Sequence, residues 1–309
     1  MTLNSQEISP VKYFVAKALE HPQAGGFLVL VEHVLTNGFA CVDLREQHDF
    51  EQNHVKNFSH IMAEHLPDRV AELPIKAIPL ILFGTELQIN SVLPFLGQRK
   101  YQVLQCWIVD NMIPSHWLEM EQLQCVEKGP EKQTLWQANR YLQSQIALIE
   151  SERQPPMRAL DLGCGSGREA VFLAKRGWTV DVVDNQQMAL DRSLLMANFH
   201  KVQLQTHHIN LKTQSPSFVP NGFDLICMFR FLERDLLSQI KLWLKPGGRF
   251  ICETFSTEAI RFGKPKNKAL LLKSGELQSA FQEWDPAPEN LRYLSDGRPL
   301  IGFCVKKPL

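Results

Sequence analysis

One feature constrains what this chain of 309 residues can fold into more than any other: the segment Asp161-Leu162-Gly163-Cys164-Gly165-Ser166-Gly167. Apolar residues before it predict a buried strand over 158–162, and the residues after it predict a helix from Glu169 to Lys175 that Gly177 closes. A strand, a tight glycine turn and a helix in this order are typical of an α/β fold, in which the turn lies at the ligand-binding edge of a parallel sheet.

The sequence after this turn continues the alternation of strands and helices. It predicts further strands over 179–184, 202–210, 223–229 and 249–255. Two more strands, over 290–294 and 300–305, flank the dipeptide Asp296-Gly297, which is typical of a hairpin turn. We therefore expect a mostly parallel seven-stranded sheet that ends in an antiparallel hairpin.

The first part of the chain predicts a second parallel sheet. A helical pattern over 27–35 precedes a short buried strand over 39–42. Another strand is predicted over 78–83, and a helix that ends near Gly97 separates it from a strand that begins at Tyr101. Alternating strands and helices predict that helices cover the faces of this sheet.

Charge supports two domains, 1–113 and 114–309. The first range has 8 basic and 12 acidic side chains, a net charge of −4, whereas the second has 25 and 21, a net charge of +4. A helix predicted over about 133–149 must end before Pro155-Pro156, because proline lacks the amide proton that a helix requires.

Composition excludes several classes of protein. The whole chain balances 33 basic against 33 acidic side chains, which argues against nucleic-acid binding through a positive field. The apolar run over 25–31 is far shorter than the roughly 20 residues that span a membrane. The 7 cysteines are scattered, which disfavours a disulfide framework or a metal cluster. We expect a cytoplasmic protein that binds neither metal, nucleic acid nor membrane.

The glycine turn is compatible with two cofactors, NAD and S-adenosylmethionine. A dinucleotide site requires Gly-x-Gly-x-x-Gly, and Arg168 stands where its third glycine belongs. Asp161 suits a cationic ligand better than a pyrophosphate, and Asp184, at the end of the next strand, suits ribose hydroxyls. Asn210, after the third strand, lies where it could reach an adenine edge. These residues favour S-adenosylmethionine, although glycine turns and acids at strand ends occur in any doubly wound fold.

The segment around the glycine turn, together with Gly177–Asp184 and Lys245-Pro246-Gly247-Gly248, resembles the class I S-adenosylmethionine-dependent methyltransferases over about 133–309. The segments 229–234, 253–255 and 263–277 resemble the tellurite-resistance-type branch of that family. The resemblance implies a Rossmann-like domain and a small acceptor that is anionic or contains a chalcogen. Implied cofactor contacts are Asp161, Gly163, Cys164, Gly165, Gly167, Asp184, Asn185, Asn210, Leu211 and Phe229. The family often has aspartate where this chain has Asn210.

One residue is a candidate for catalysis through substrate binding. Arg230 follows the fourth predicted strand at the ligand-binding edge and could hold an anionic acceptor. A structural ion pair with Glu233 or Glu253 is an equally good interpretation. The cations over 261–273 form either a flap over the acceptor or, as we favour, a solvated loop. Trp136 and Asn139 are placed either over the cofactor or in the core.

The first part of the chain resembles a rhodanese-like domain over about 22–112. The resemblance rests on Cys41-Val42-Asp43-Leu44-Arg45-Glu46, followed by Phe50 and Asn53-His54-Val55. Rhodanese chemistry requires a cysteine in the loop after the strand at 78–83. Residues 83–90 contain no cysteine, arginine or lysine. The resemblance thus implies a non-catalytic domain for docking, for dimerisation or for shielding the second domain.

Two functions from different classes remain open. The first is a methyltransferase acting on a small-molecule acceptor. The second is a non-catalytic regulatory or interaction protein that binds S-adenosylmethionine. An NAD-dependent enzyme is a third account, which the spacing of the glycines opposes.

Overall fold

The computed structural model describes residues 39–112, 114–130, 134–284 and 286–309. The chain divides into two compact units, Met1–Trp136 and Gln137–Leu309. This boundary lies later than the one expected near residue 113, because Val126–Glu127 pairs with His54–Val55 within the first unit. The helix expected over 27–35 lies outside the described residues.

The first unit is built on a small parallel sheet. Its elements are β1 (Ala40–Asp43), α1 (Gln47–Gln52), β2 (His54–Val55), β3 (Ser59–His60), β4 (Leu80–Gly84), α2 (Glu86–Gln98), β5 (Val103–Ile108), α3 (Pro114–Gln122) and β6 (Val126–Glu127). Four strands form a parallel sheet in the order β3-β1-β4-β5. Every residue of β1 and β4 is buried, which confirms the two strands that apolar runs predicted.

The second unit is built on a larger sheet. Its elements are α4 (Arg140–Ser151), β7 (Arg158–Leu162), α5 (Arg168–Lys175), β8 (Thr179–Asp184), α6 (Gln187–Phe199), β9 (Gln205–His208), β10 (Phe223–Phe229), α7 (Leu237–Trp243), β11 (Leu244–Phe255), α8 (Glu276–Ala280), β12 (Asn290–Tyr293) and β13 (Pro299–Lys306). Seven strands form one sheet in the order β12-β13-β11-β10-β7-β8-β9. The first five in chain order are parallel, and β12 and β13 form the expected antiparallel hairpin.

Side chains of β10 alternate between two apolar clusters, one on each face of this sheet. Ile226 and Met228 join the cluster that includes residues of α7 and α8. Leu225 and Cys227 join the cluster that includes residues of α4 and α5. The strand order reverses between β7 and β10, and the carboxyl ends of strands at such a switch point are where open α/β sheets bind ligands.

Three boundaries differ most from the sequence predictions. Strand β9 covers only Gln205–His208 of the predicted range 202–210, because it is an edge strand with no buried residue. Helix α4 begins at Arg140, since the Asn139 side chain caps it by accepting the backbone N–H groups of Tyr141 and Leu142. Strand β11 begins at Leu244, which pairs with Phe223 before a register shift.

No helix in the described ranges combines the length and the apolar character that crossing a membrane requires.

Candidate active site

The glycine turn joins β7 to α5, and its three glycines all have positive φ angles, 75° at Gly163, 55° at Gly165 and 79° at Gly167. A Cβ atom on Gly163 would lie 2.7 Å from Cγ of Phe231, and one on Gly167 would lie 2.6 Å from Cβ of Ser193. A Cβ atom on Gly165 would meet no atom within 4 Å. The outer glycines therefore permit close packing, whereas the middle one faces open space where a ligand can approach the backbone.

Asp161 is the penultimate residue of β7, just before this turn, and forms no ion pair with any cation in the described part of the chain. The residue is 2% exposed, and its Oδ2 atom is one of two buried side-chain polar atoms in the described residues that lack a hydrogen-bond partner. Burial raises the pKa of Asp161 well above the ordinary aspartate value, and the charges of Glu169 and Asp184 raise it further. A cationic ligand would remove this cost, because burying an unpaired carboxylate is unfavourable.

Asp184 ends β8 beside the same turn. Its Oδ2 atom accepts the backbone N–H of Gly165 at 3.0 Å, and its Oδ1 atom accepts that of Gln186 at 2.9 Å. Each oxygen keeps a further lone pair, because a carboxylate oxygen accepts about two hydrogen bonds. The carboxylate is thus oriented by the backbone and can still accept hydrogen bonds from a diol. The adjacent Asn185 is exposed, and its carbonyl oxygen lies 3.1 Å from Nε2 of His208.

A third acid, which the sequence analysis did not assign to the site, belongs to this cluster. Glu169 lies in the first turn of α5, and its Oε1 atom accepts the backbone N–H of Asn139 at 3.0 Å. Burial raises its pKa, while hydrogen bonds and the charges of Arg168 and Arg230 act in the opposite direction. The position of Glu169, two residues after Gly167, is the sequence feature that could have indicated its place in the site, whereas we interpret this residue from the sequence only as the start of a helix.

Arg230 follows β10 in a left-handed conformation, with φ of 55°. Its backbone N–H donates to the carbonyl oxygen of Glu253 at 2.9 Å, and its guanidinium carbon lies 5.1 Å from the centre of the Phe255 ring. The side chain forms no ion pair with any acid that the structure describes. The expected alternative of an ion pair with Glu233 or Glu253 is therefore wrong for the described residues, because the Glu253 carboxylate binds Arg292 at 2.5 and 2.6 Å.

Three other predicted contact residues are held by their own surroundings. Cys164 is buried, and burial raises the pKa of its thiol, so it is not a nucleophile. Leu211 packs in the core. The Oδ1 atom of Asn210 accepts the backbone N–H of Lys212 at 3.1 Å and stabilises the turn after β9. Phe229, the last residue of β10, is 7% exposed.

The remaining candidates divide between packing and solvent. Asn139 caps α4 and also donates its amide hydrogen to Glu253 Oε2 at 2.7 Å, whereas Trp136 is buried before that helix begins. The five cations over 261–273 are all exposed, as in a solvated loop, and Arg261 pairs with Glu258 at 3.1 Å. In the ranges that the structure describes, no group of His, Cys, Asp and Glu side chains could hold a metal ion.

In the first unit, the acid at the end of β1 is fully paired. The carboxylate of Asp43 accepts hydrogen bonds from Arg45 Nε at 3.0 Å and from Arg45 Nη2 at 2.7 Å, and both residues are buried. Arg45 also donates to the carbonyl oxygen of Asn53 at 2.7 Å. Polar groups that satisfy each other in this way stabilise a fold and need no ligand.

The segment after β4 leads directly into the helix that was expected to end near Gly97. Thr85 caps α2, which begins at Glu86, and Gln88 completes a capping box with it. Burial raises the pKa of Cys41 to about 12 and that of Cys106 to about 11, so neither thiol is a thiolate at neutral pH.

This chain is similar to several known proteins. A family model described as a methyltransferase domain matches residues 135–295. The uncharacterized protein UNK4.09 of Schizosaccharomyces pombe is 24% identical to this chain over 90% of its residues and 96% of the yeast protein. A SAM-dependent methyltransferase from Methanosarcina mazei has a TM-score of 0.44 at 19% identity, over 52% of this chain and 97% of that one. TehB from Haemophilus influenzae has a TM-score of 0.43 at 16% identity, over 54% and 61%. The range of the family model contains the glycine turn and the three acids around it.

Proposed function

The chain belongs to the methyltransferase-domain family as an enzyme that depends on S-adenosylmethionine, and we propose that it methylates a small molecule bound at the carboxyl edge of its larger sheet. The observation that carries this proposal is the buried Oδ2 atom of Asp161, which has no hydrogen-bond partner in the described residues. Asp161 belongs to the strand that leads into a glycine turn with open space at Gly165, and Asp184 binds the backbone of that turn.

The residues at this edge fit the cofactor. Asp161 would hold its ammonium group, because a buried carboxylate without a partner gains most from a cation. Asp184 would accept the ribose hydroxyls through the lone pairs that its two backbone hydrogen bonds leave free. Gly165 would lie against the ligand, because the protein itself leaves open space where a side chain at this position would be. Cys164, Asn185, Asn210, Leu211 and Phe229 complete the proposed contact set.

The cluster of acids also supports the choice of cofactor. Asp161, Glu169 and Asp184 concentrate negative charge beside the helix N-terminus that would otherwise attract a pyrophosphate. A ligand with a positive charge is attracted by these carboxylates, whereas NAD is repelled. When bound, S-adenosylmethionine supplies a methyl group on a positively charged sulfur atom.

The chain's own contribution to the reaction is alignment. Methyl transfer needs an acceptor lone pair in line with the breaking bond, and holding two reactants in this geometry contributes about 7–11 kcal/mol. We assign this task to the residues that follow β10, with Arg230 as the substrate-binding residue. Its left-handed backbone is held by the carbonyl oxygen of Glu253 at 2.9 Å, and the next residue, Phe231, packs against Gly163.

The finer assignments rest on sequence motifs. Segments 229–234, 253–255 and 263–277 support membership of the tellurite-resistance-type branch and an acceptor that is anionic or contains a chalcogen. The parallel sheet of the first unit and the motif Cys41–Glu46 support a rhodanese-like domain without its nucleophile. We propose that this domain docks a partner, mediates dimerisation or shields the site.

An acceptor screen tests the proposed function. The full chain is incubated with S-adenosylmethionine and candidate small molecules, and release of S-adenosylhomocysteine is measured. Thermal shifts with S-adenosylmethionine, S-adenosylhomocysteine and NAD are recorded alongside. We expect both adenosyl ligands, and not NAD, to stabilise the protein, and at least one acceptor to be methylated. Cofactor binding without turnover on any acceptor would favour the regulatory alternative, and stabilisation by NAD alone would contradict the proposal.

A further inference from the structure

Two arginines lie against the aromatic ring of Phe255 at the carboxyl end of β11, and a third binds the nearby Glu253. The guanidinium carbon of Arg230 lies 5.1 Å from the ring centre, and that of Arg298 lies 4.9 Å from it. Arg292, on β12 at the far side of β13, binds the fully buried carboxylate of Glu253, two residues before Phe255. The sequence places these arginines far apart, at the end of β10 and in the terminal hairpin, so only the fold brings them together.

The charges in this arginine cluster, Arg230, Arg292 and Arg298, are not balanced. Glu253 neutralises Arg292, and Asp296 binds Arg298 at 2.8 Å. Arg230 has no acid partner in the described ranges. Burial lowers the pKa of Arg230, and the charge of Glu253 raises it. The charges of Arg292 and Arg298 lower this pKa again, so the guanidinium group of Arg230 lies near two like charges. An arginine nevertheless stays protonated at neutral pH. The charge of Glu169 also acts on Arg230, but no acid in the described ranges forms an ion pair with this exposed guanidinium, which is therefore available to bind an anion.

The position of the cluster links it to the cofactor site. Arg230 is followed by Phe231, whose ring would contact any Cβ atom on Gly163 at 2.7 Å. The backbone N–H of Arg230 donates to the carbonyl oxygen of Glu253. Asn139 connects Glu253 to Glu169, because its side-chain amide donates to Glu253 and its backbone N–H donates to Glu169. Arg230 is thus held between the glycine turn and the terminal hairpin.

We propose that Arg230 and Arg298 bind a carboxylate or similar oxygen-rich anion on the methyl acceptor, beside the Phe255 ring that both guanidinium groups approach. Arg292 is a positioning residue, because the Glu253 carboxylate engages it and thereby ties β12 to β11 across the intervening strand β13. The substrate class is therefore a small organic acid or oxyanion. This inference rests on the proposed function and adds to it the oxygen-rich anionic group of the acceptor and the role of Arg298 in binding it.

Benzoate and its neutral analogue benzamide provide the test. Each is titrated into the full chain by calorimetry, with and without saturating S-adenosylhomocysteine. The variants are Arg230→Ala, Arg230→Lys, Arg298→Ala and, as a matched control, Arg261→Ala. Arg261 is an exposed arginine of the same unit whose ion pair with Glu258 lies outside the cluster.

We expect benzoate to bind wild type about tenfold or more tightly than benzamide, as a charge-assisted hydrogen bond implies. Arg230→Ala and Arg298→Ala should each reduce that affinity by about tenfold, and Arg230→Lys should retain part of it, because lysine keeps the charge but not the paired donors. Arg261→Ala should bind as wild type does. An unchanged affinity for S-adenosylhomocysteine confirms that each variant is folded.

Equal binding of benzoate and benzamide, or full benzoate affinity in Arg230→Ala, would overturn the inference. The titration without S-adenosylhomocysteine separates the anion site from the proposed function. If wild type does not bind S-adenosylhomocysteine, the proposed function is contradicted, whereas the binding of benzoate still decides whether the cluster is an anion site.

Discussion

Each unit places an aspartate near the carboxyl end of a central parallel strand, Asp43 in β1 and Asp161 in β7. Both side chains are buried, but Arg45 binds both oxygens of Asp43, whereas Oδ2 of Asp161 has no hydrogen-bond partner among the residues that the structure describes. An acid at the edge of a sheet therefore does not by itself indicate a binding site. A binding site is indicated where the fold leaves a buried carboxylate oxygen without a hydrogen-bond partner.

The segments that follow the strands show the same contrast. After β4, Thr85 and Gln88 satisfy the first backbone N–H groups of α2 with their own side chains. After β7, three glycines with positive φ present backbone to open space at Gly165. The first arrangement completes a helix, and the second leaves room for a ligand at the start of one.

The largest expected effect breaks the paired acid of the first unit. Arg45→Ala should lower the free energy of unfolding of that unit by about 3–5 kcal/mol, because it leaves the buried carboxylate of Asp43 without a counter-ion. Chemical denaturation monitored by tryptophan fluorescence measures the change. Affinity for S-adenosylhomocysteine should stay at the wild-type value. A stable variant would mean that Asp43 is not held as we describe.

A pair of glycine substitutions separates packing from ligand contact. Gly167→Ala should cost about 2–4 kcal/mol of unfolding free energy, since it adds a left-handed alanine and a Cβ atom 2.6 Å from that of the buried Ser193. Gly165→Ala has room for its methyl group and should cost only about 1–2 kcal/mol. It should nevertheless impair cofactor binding. Thermal unfolding and calorimetry of both variants check this, and equal destabilisation would contradict the assigned roles.

Removing the unpaired charge of the second unit should have the opposite effect on stability. Asp161→Asn should leave the free energy of unfolding unchanged or increase it, because an amide costs less to bury than an uncompensated carboxylate. Affinity for S-adenosylmethionine should fall by about a hundredfold, the equivalent of one strong charged hydrogen bond. Calorimetric titration measures the affinity, and a destabilised variant with normal affinity would assign Asp161 to structure instead.

Asp184→Ala should weaken cofactor binding by about ten- to a hundredfold, since it removes a carboxylate that accepts one backbone N–H at each oxygen and retains free lone pairs. The control is Asp191→Ala, which removes an exposed acid of α6 that accepts a hydrogen bond from Gln187. Binding is measured by calorimetry for both. Equal affinities in the two variants would remove Asp184 from the site.

The smallest expected effect is a dependence on pH. The folded protein binds the Asp161 proton more tightly than the unfolded chain, because burial raises its pKa. Stability without ligand should therefore fall as the pH rises from the ordinary aspartate pKa through the raised value. The stabilisation by S-adenosylmethionine should grow over the same window, since the ionised carboxylate binds the cation. Thermal shifts across this range test both trends, and Asp161→Asn should weaken both of them.

The central strands of both sheets could be predicted from the sequence, and the edges could not. Residues 158–162, 179–184 and 223–229 were predicted at their observed boundaries, because long buried apolar runs allow few alternatives. Strand β9 was overestimated, since an exposed edge strand lacks that pattern. The start of α4 was signalled by Asn139, a good capping residue, but the apolar spacing before it suggested an earlier helix.

The same limit applies to the site. Asp161, Gly165 and Asp184 lie within one local motif, so their proximity could be anticipated from the fold that the motif indicates. The partners of Glu253 could not, because Asn139 and Arg292 lie 114 and 39 residues away in the chain. The sequence does not show which arginine pairs with Glu253. Arg292 does so because the terminal hairpin pairs with β11, and Arg230 is therefore left without this ion pair.

A crystal structure of the full chain with S-adenosylhomocysteine tests the central claim most directly. We predict that the ammonium group of this ligand will bind Oδ2 of Asp161 and that its ribose hydroxyls will bind Asp184, with the ligand against Gly165. A structure in which the ligand lies elsewhere, or in which Asp161 remains unpaired beside it, would contradict the account.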